Sequence, residues 1–216
     1  MPTDPLTAEQ IEAILGNRDY YLVVDKSGSE GSETDTPSGQ TRWDYQMESL
    51  LAIATQLDTF DPDGSTLVTF AGSHDMLSNQ PADRIRQVLK GTYPMGGTVM
   101  APAFQAVFDD YLRNKAAGNT KPNGAILVCM TDGQPQDENA VAKAIVNFTK
   151  KLSDGREEFG IEILQVGRDA HATAFLERLN DNLAKEGAKY DIVNCIGVDD
   201  VEKIGLEAAL YKSLSE

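Results

Sequence analysis

Cysteine, histidine and tryptophan are scarce in this chain: two, two and one among 216 residues. The cysteines, Cys129 and Cys195, each close an apolar run, and no CxxC occurs, so a zinc site lacks its ligands. Buried, reduced thiols are the expected state. Neither His74 nor His171 stands beside a nucleophile in the sequence, and without a GxSxG elbow triad chemistry has no positive signal. Both read as ordinary surface or satisfied histidines.

Basic residues are also few, 19 against 34 acidic ones, for a formal charge of -15. Such a chain is poorly equipped to displace counterions from a phosphate backbone, which argues against nucleic acid as a partner. Solubility is the plain reading of the acidity. No GxxxxGK(S/T) and no GxGxxG after a strand is present, so the backbone cradle of a nucleotide site is missing. Apolar runs such as Ala125 to Met130 fall far short of the roughly 18 residues a membrane span needs. The opening MPTDPLTAEQ has neither the basic nor the apolar region of a secretory signal. These features predict a cytoplasmic protein with no membrane partner.

What is present is an ordinary globular composition, 41% hydrophobic and 25% charged, sized for one domain over residues 1–216. Thr7 and Gln10 have capping-box spacing, with Ile11, Ile14 and Leu15 on one face, so residues 1–18 read as a helical N-terminal extension. Tyr20 to Val24 is a continuous apolar run, a strand covered on both faces. Residues 31–41 form a polar loop, and 43–57 an amphipathic helix with Met47, Leu50, Leu51, Ala54 and Leu57 at helical spacing. The DPDG stretch at 61–64 is a turn, since most of a calcium-loop ligand series is absent around Asp61 and Asp63.

Strands are then expected at 66–71, 125–130, 161–166 and 191–195, with a short edge strand at 74–78. Helices are expected at 81–89, 101–117, 138–152, 172–185 and 201–214. This alternation predicts a three-layer α/β/α, doubly wound, Rossmann-like domain with a mainly parallel six-stranded sheet and one short antiparallel edge strand. In such sheets ligands bind beyond the carboxyl ends of the strands.

Two strands end there on aspartates. Asp25 follows YYLVV and Asp132 follows AILVCMT. On neighbouring strands they would stand about 5 Å apart, where two carboxylates repel unless a cation or proton lies between them. Asp25, Ser27 and Ser29 alternate, so in extended backbone their side chains share one side. Hydroxyls and carboxylates are hard donors that suit Mg²⁺, Mn²⁺ or Ca²⁺.

The stretch D-K-S-G-S at 25–29 matches a DxSxS motif, Gly96, Gly97 and Thr98 form a threonine loop, and Thr131, Asp132 and Gly133 a distal TDG. Together they resemble the von Willebrand factor type A domain with its metal-ion-dependent adhesion site. The resemblance implies the strand order 3-2-1-4-5-6 and one divalent cation, with Mg²⁺ ahead of Mn²⁺ or Ca²⁺. Ser27, Ser29 and Thr98 would supply hydroxyl ligands, with Asp25 and Asp132 acting through water or orienting the hydroxyls. Neutral ligands leave the ion short of negative charge, so the implied partner is a protein offering an Asp or Glu carboxylate.

Lys26 departs from an oxygen-only motif and by alternation should point away. The acidic residues Glu30, Glu33 and Asp35 could shield the ion or take the ligand position. Trp43 reads as a cap on the core or a partner-binding rim residue, and Tyr93 and Met95 as rim candidates. Thr98→Ala and Asp132→Ala are expected to weaken metal binding with little loss of fold. The strand order implied by the family separates Cys129 from Cys195 by one strand, about 10 Å and too far for a disulfide.

The reading is a non-enzymatic, metal-dependent protein-binding domain. Its rivals are a metal-independent scaffold subunit, for example beside an AAA+ ATPase or in a stress-response system, and a Mg²⁺-dependent phosphatase or phosphotransfer enzyme. The second requires an Asp-x-Asp pair where this chain has Ser27.

Overall fold

The structure is a computed structural model that describes residues 7–32, 36, 39–132 and 135–215. Six strands form one sheet: β1 (Asp19–Asp25), β2 (Ser65–Phe70), β3 (His74–Gln80), β4 (Ala125–Thr131), β5 (Phe159–Gln165) and β6 (Val193–Gly197). Their order is β3-β2-β1-β4-β5-β6, parallel throughout except for the antiparallel edge strand β3. This is the doubly wound α/β fold and strand order expected. Chain order reverses between β1 and β4, so the crevice that can hold a ligand opens beyond Asp25 and Thr131.

The apolar runs of β1 and β4 are buried along their length because helices cover both faces. Alternation divides each strand between two cores. Tyr21, Val23, Leu127 and Cys129 face α5 (Ala101–Ala117), α6 (Glu138–Thr149) and α7 (Ala170–Asp181). On that side Phe108 stacks on Phe148 at 4.0 Å between ring centroids, and Phe159 meets both rings edge-on. Leu22, Val24, Val128 and Met130 face the other core, under α3 (Arg42–Phe60), α4 (Ala82–Lys90), α8 (Val198–Ile204) and α9 (Leu206–Ser215). Helix α1 (Ala8–Leu15) closes this layer, its N-terminus fixed by the reciprocal Thr7–Gln10 capping box that the spacing predicts.

Four expectations are corrected. The edge strand β3 runs two residues past the expected 78, and a register shift between Ser65 and Leu67 places Gln80 opposite Ser65. The last helix is two, α8 and α9, broken at Gly205, whose φ of 85° a helix does not accommodate. Strand β6 begins two residues late, at Val193, although the Ile192 carbonyl still accepts the Ile161 N–H. The loop after the serines begins as a helical turn, α2 (Gly28–Ser32). Cys129 and Cys195 are free, and the register Cys129, Ile163, Cys195 places β5 between them.

Candidate metal centre

The centre is assembled by the sheet register. β1 and β4 pair in parallel with Val24 opposite Met130, so Asp25 and Thr131 emerge side by side at the crevice. The Thr131 hydroxyl donates to Asp25 Oδ2 at 2.7 Å, and the Ser27 N–H donates to Oδ1 at 2.8 Å. Gln46, on α3, donates its amide to the Asp25 carbonyl at 2.7 Å. Both carboxylate oxygens of Asp25 therefore have donors from the chain. That suits a group that orients its neighbours, the role the resemblance implies.

Ser27 and Ser29 meet with their hydroxyl oxygens 3.2 Å apart, but not by alternation along an extended strand. Ser29 belongs to the turn of α2, which curls it back over Ser27. The same curl has a second consequence: the next residue, Glu30, is turned inward and fully buried. Its Oε1 accepts the Asp132 N–H at 2.9 Å, while Oε2 has no hydrogen-bond partner among the described residues. Asp25, Glu30 and Asp132 each bring a carboxylate oxygen within 4.8 Å of the others. Glu33 and Asp35, the other acidic residues of this loop, and Gly133 of the distal motif lie outside the described residues.

Arg42, the first residue of α3, is buried against this cluster, and its guanidinium pairs with Asp132 Oδ2 at 3.1 Å. Asp132 is wholly buried, so it is no loop side chain that can be cut without cost to the fold. Burial dominates the electrostatics. It pushes the Asp25 carboxyl up to about 6, with the Asp132 charge adding to the rise against the hydrogen bonds from Thr131 and Ser27. Glu30 is raised well above the usual carboxylate range, first by burial and then by the Asp25 and Asp132 charges, despite Arg42 and the Asp132 N–H.

Thr98 is buried and belongs to a loop tied on both sides. The Gly28 N–H donates to the Gly96 carbonyl at 3.0 Å, the Met95 N–H to the Lys26 carbonyl at 2.8 Å, and the Gln136 N–H to the Thr98 carbonyl at 2.8 Å. Gly96 makes this approach in the left-handed region, with φ of 85°. Lys26 points away and pairs with Asp75 of β3 at 3.0 Å. Around the crevice Tyr93 and Met95 are 74% and 68% exposed. Trp43 is half-buried and packs on the core beneath α3.

Sequence reasoning missed Arg42, Gln46 and the donor role of Thr131. A signal was present: Arg42 and Gln46 lie eight and four residues before Leu50, on the stripe whose apolar members face the sheet. Polar residues on a buried stripe need polar partners. The donor set of carboxylates and hydroxyls, with Glu30 Oε2 and Gln46 Oε1 buried and without hydrogen-bond partners among the described residues, fits a hard divalent ion.

A doubly wound sheet with an oxygen-rich crevice at its switch point is thus the class of protein in hand. The sequence profile of the von Willebrand factor type A domain matches residues 20–135, more than half of the chain, and the chain belongs to this family. No curated protein matches it. Among solved structures it resembles manganese-loaded TRAP from Plasmodium vivax, at 19% identity and a TM-score of 0.55, covering 91% of this chain and 75% of that one. A variant of the PilB minor pilin from Streptococcus sanguinis gives 14% identity, a TM-score of 0.64, and coverage of 98% and 65%. The pilus adhesin SpaC from Lactobacillus rhamnosus GG gives 14%, 0.61, and coverage of 92% and 31%. The chain thus spans three quarters of TRAP but under two thirds of PilB and a third of SpaC, and at these identities the likeness is one of fold.

Proposed function

We propose that residues 1–216 act as one non-catalytic, divalent-metal-dependent protein-binding domain, whose partner presents an Asp or Glu carboxylate at the crevice. The observation that carries this reading is the convergence of Asp25, Glu30 and Asp132 within 4.8 Å, beside the Ser27 and Ser29 hydroxyls, at the switch point of the family fold. The manganese-loaded TRAP structure, an example of the same fold with a divalent ion, supports it.

In this reading Ser27, Ser29 and Thr98 hold the ion by their hydroxyls, Asp25 and Asp132 orient them, and Mg²⁺ is the first candidate, with Mn²⁺ or Ca²⁺ as substitutes. A bound ion would supply a Lewis-acidic docking point. Tyr93 and Met95, exposed on the threonine loop, would give the partner apolar contact, and Trp43 would support them from the core. Two free thiols fit a cytoplasmic setting.

The buried Arg42–Asp132 pair favours a second reading, a scaffold whose crevice is neutralised from within and whose partner surface lies elsewhere. Calorimetry with Mn²⁺ and Mg²⁺, on wild type and on the Ser27→Ala/Ser29→Ala double variant, separates the two. Ion binding lost in the variant, with a captured partner released by EDTA and by added acetate, supports the metal-dependent domain. No ion binding by wild type, or a partner retained in EDTA, sinks it.

A further inference from the structure

We propose that Glu30 is a built-in metal ligand: its Oε2 holds the coordination position that a partner's carboxylate would take, so that partner binding is an exchange and not a simple addition. The inference rests on the metal-dependent reading above and adds to it a regulatory residue of this chain.

Three observations lead there. Glu30 is fully buried, yet one of its carboxylate oxygens lacks a hydrogen-bond partner among the described residues. A buried carboxylate oxygen left bare is costly, and proteins keep such groups where something binds them. The oxygen belongs to a carboxylate that stands within 4.8 Å of those of Asp25 and Asp132, so whatever satisfies it lies at the same centre. Its other oxygen is fixed by the Asp132 N–H, which leaves Oε2 held in place and not merely nearby.

The charges agree. When ionised, Asp25, Glu30 and Asp132 would carry three negative charges against one positive charge on Arg42, a formal -2 that a divalent ion neutralises. Without Glu30 the same groups carry -1, and a divalent ion there would keep a positive charge to offer an outside acid. Glu30 therefore converts a centre short of negative charge into a balanced one. Access depends on α2, the five-residue turn that carries Glu30 and packs through Gly31 against Pro94 of the threonine loop. Moving Glu30 aside would open the position to a partner.

Glu30→Gln isolates the charge, because its amide oxygen can still accept the Asp132 N–H. Mn²⁺ is the probe, with affinity read by calorimetry and bound water by proton relaxation, in wild type, Glu30→Gln and Glu30→Asp. The expected result is at least a tenfold loss of Mn²⁺ affinity in Glu30→Gln, a smaller loss in Glu30→Asp, and one more water on each bound Mn²⁺ in the Gln variant. Acetate should displace that water at lower concentration than it acts on wild type. Mn²⁺ bound equally by all three, with equal hydration, overturns the role of Glu30 and leaves the metal-dependent reading standing. No Mn²⁺ bound by wild type overturns both. If Glu30→Gln does not fold, Glu30→Asp with wild-type affinity and hydration overturns the proposal by itself.

Discussion

At the N-terminal edge of the sheet Lys121 pairs with both Asp61 and Asp63, and Lys115 meets Glu158 at 2.5 Å. At the C-terminal edge Arg42 meets Asp132, while Asp25 and Glu30 bring two more carboxylates to the same place. At the first edge each of these carboxylates has a lysine against it. Burial pushes Asp61 up to about 6 even beside Lys121, but Lys115 and the N–H groups of Ser153 and Asp154 outweigh burial and hold the Glu158 carboxyl below the usual range. At the second edge three carboxylates share one cation, burial raises Asp25 and Glu30, and one oxygen of Glu30 has no hydrogen-bond partner among the described residues. One sheet thus carries a charge cluster built to hold the fold and another with capacity left over. The surplus, and not the presence of charge, marks the candidate site.

Cutting each cluster at its cation tests the contrast. Arg42→Met should give the largest effect, about 3–5 kcal/mol lost in EDTA by urea unfolding, because it breaks a buried pair and leaves Asp132 charged beside Asp25 and Glu30. Millimolar Mn²⁺ should return part of that loss. A variant as stable as wild type in EDTA would mean that Arg42 does not hold the cluster together.

Lys121→Met should cost less, about 1–3 kcal/mol, since Asp61 stays buried after losing its partner. The loss should be the same in EDTA and in Mn²⁺. Metal dependence at this edge would erase the distinction between the two.

The third effect is one of pH. A carboxyl whose folded value is raised contributes stability fully below its unfolded value and loses it as pH rises through the folded one. For Asp25 that window runs from 3.8 to about 6. The gain in Tm conferred by Mg²⁺ over EDTA should therefore grow from pH 4 to pH 7. A gain that is flat or falls across this range would show that the ion does not meet these carboxylates. Lys26→Ala should do least, within about 1 kcal/mol, because its pair with Asp75 is exposed. Its Mn²⁺ affinity should equal that of wild type, and a marked change would place Lys26 in the centre after all.

Much of this was legible in the sequence. The apolar runs ending at Asp25 and Thr131 and the alternation of strands with helices pointed to the crevice, and the three motif fragments named Asp25, Ser27, Ser29, Thr98 and Asp132 as its candidate residues. Those signals are local: burial on both faces leaves a continuous apolar run, and a strand end is written in a few adjacent residues. What the sequence left open are the partners that arrive from elsewhere. Arg42 lies 90 positions from Asp132, and Gln46 lies 21 from Asp25. Glu30 was visible as an acidic neighbour, but alternation alone could not say whether it points to water or to the centre.

The sequence by itself determined the fold family, the oxygen character of the crevice and the free thiols, because periodicity, spacing and composition act over short stretches of chain. Only the tertiary structure decided how charge is balanced there. The turn of α2 rotates Glu30 inward and the start of α3 delivers Arg42, and burial, which no single segment encodes, sets what those charges are worth.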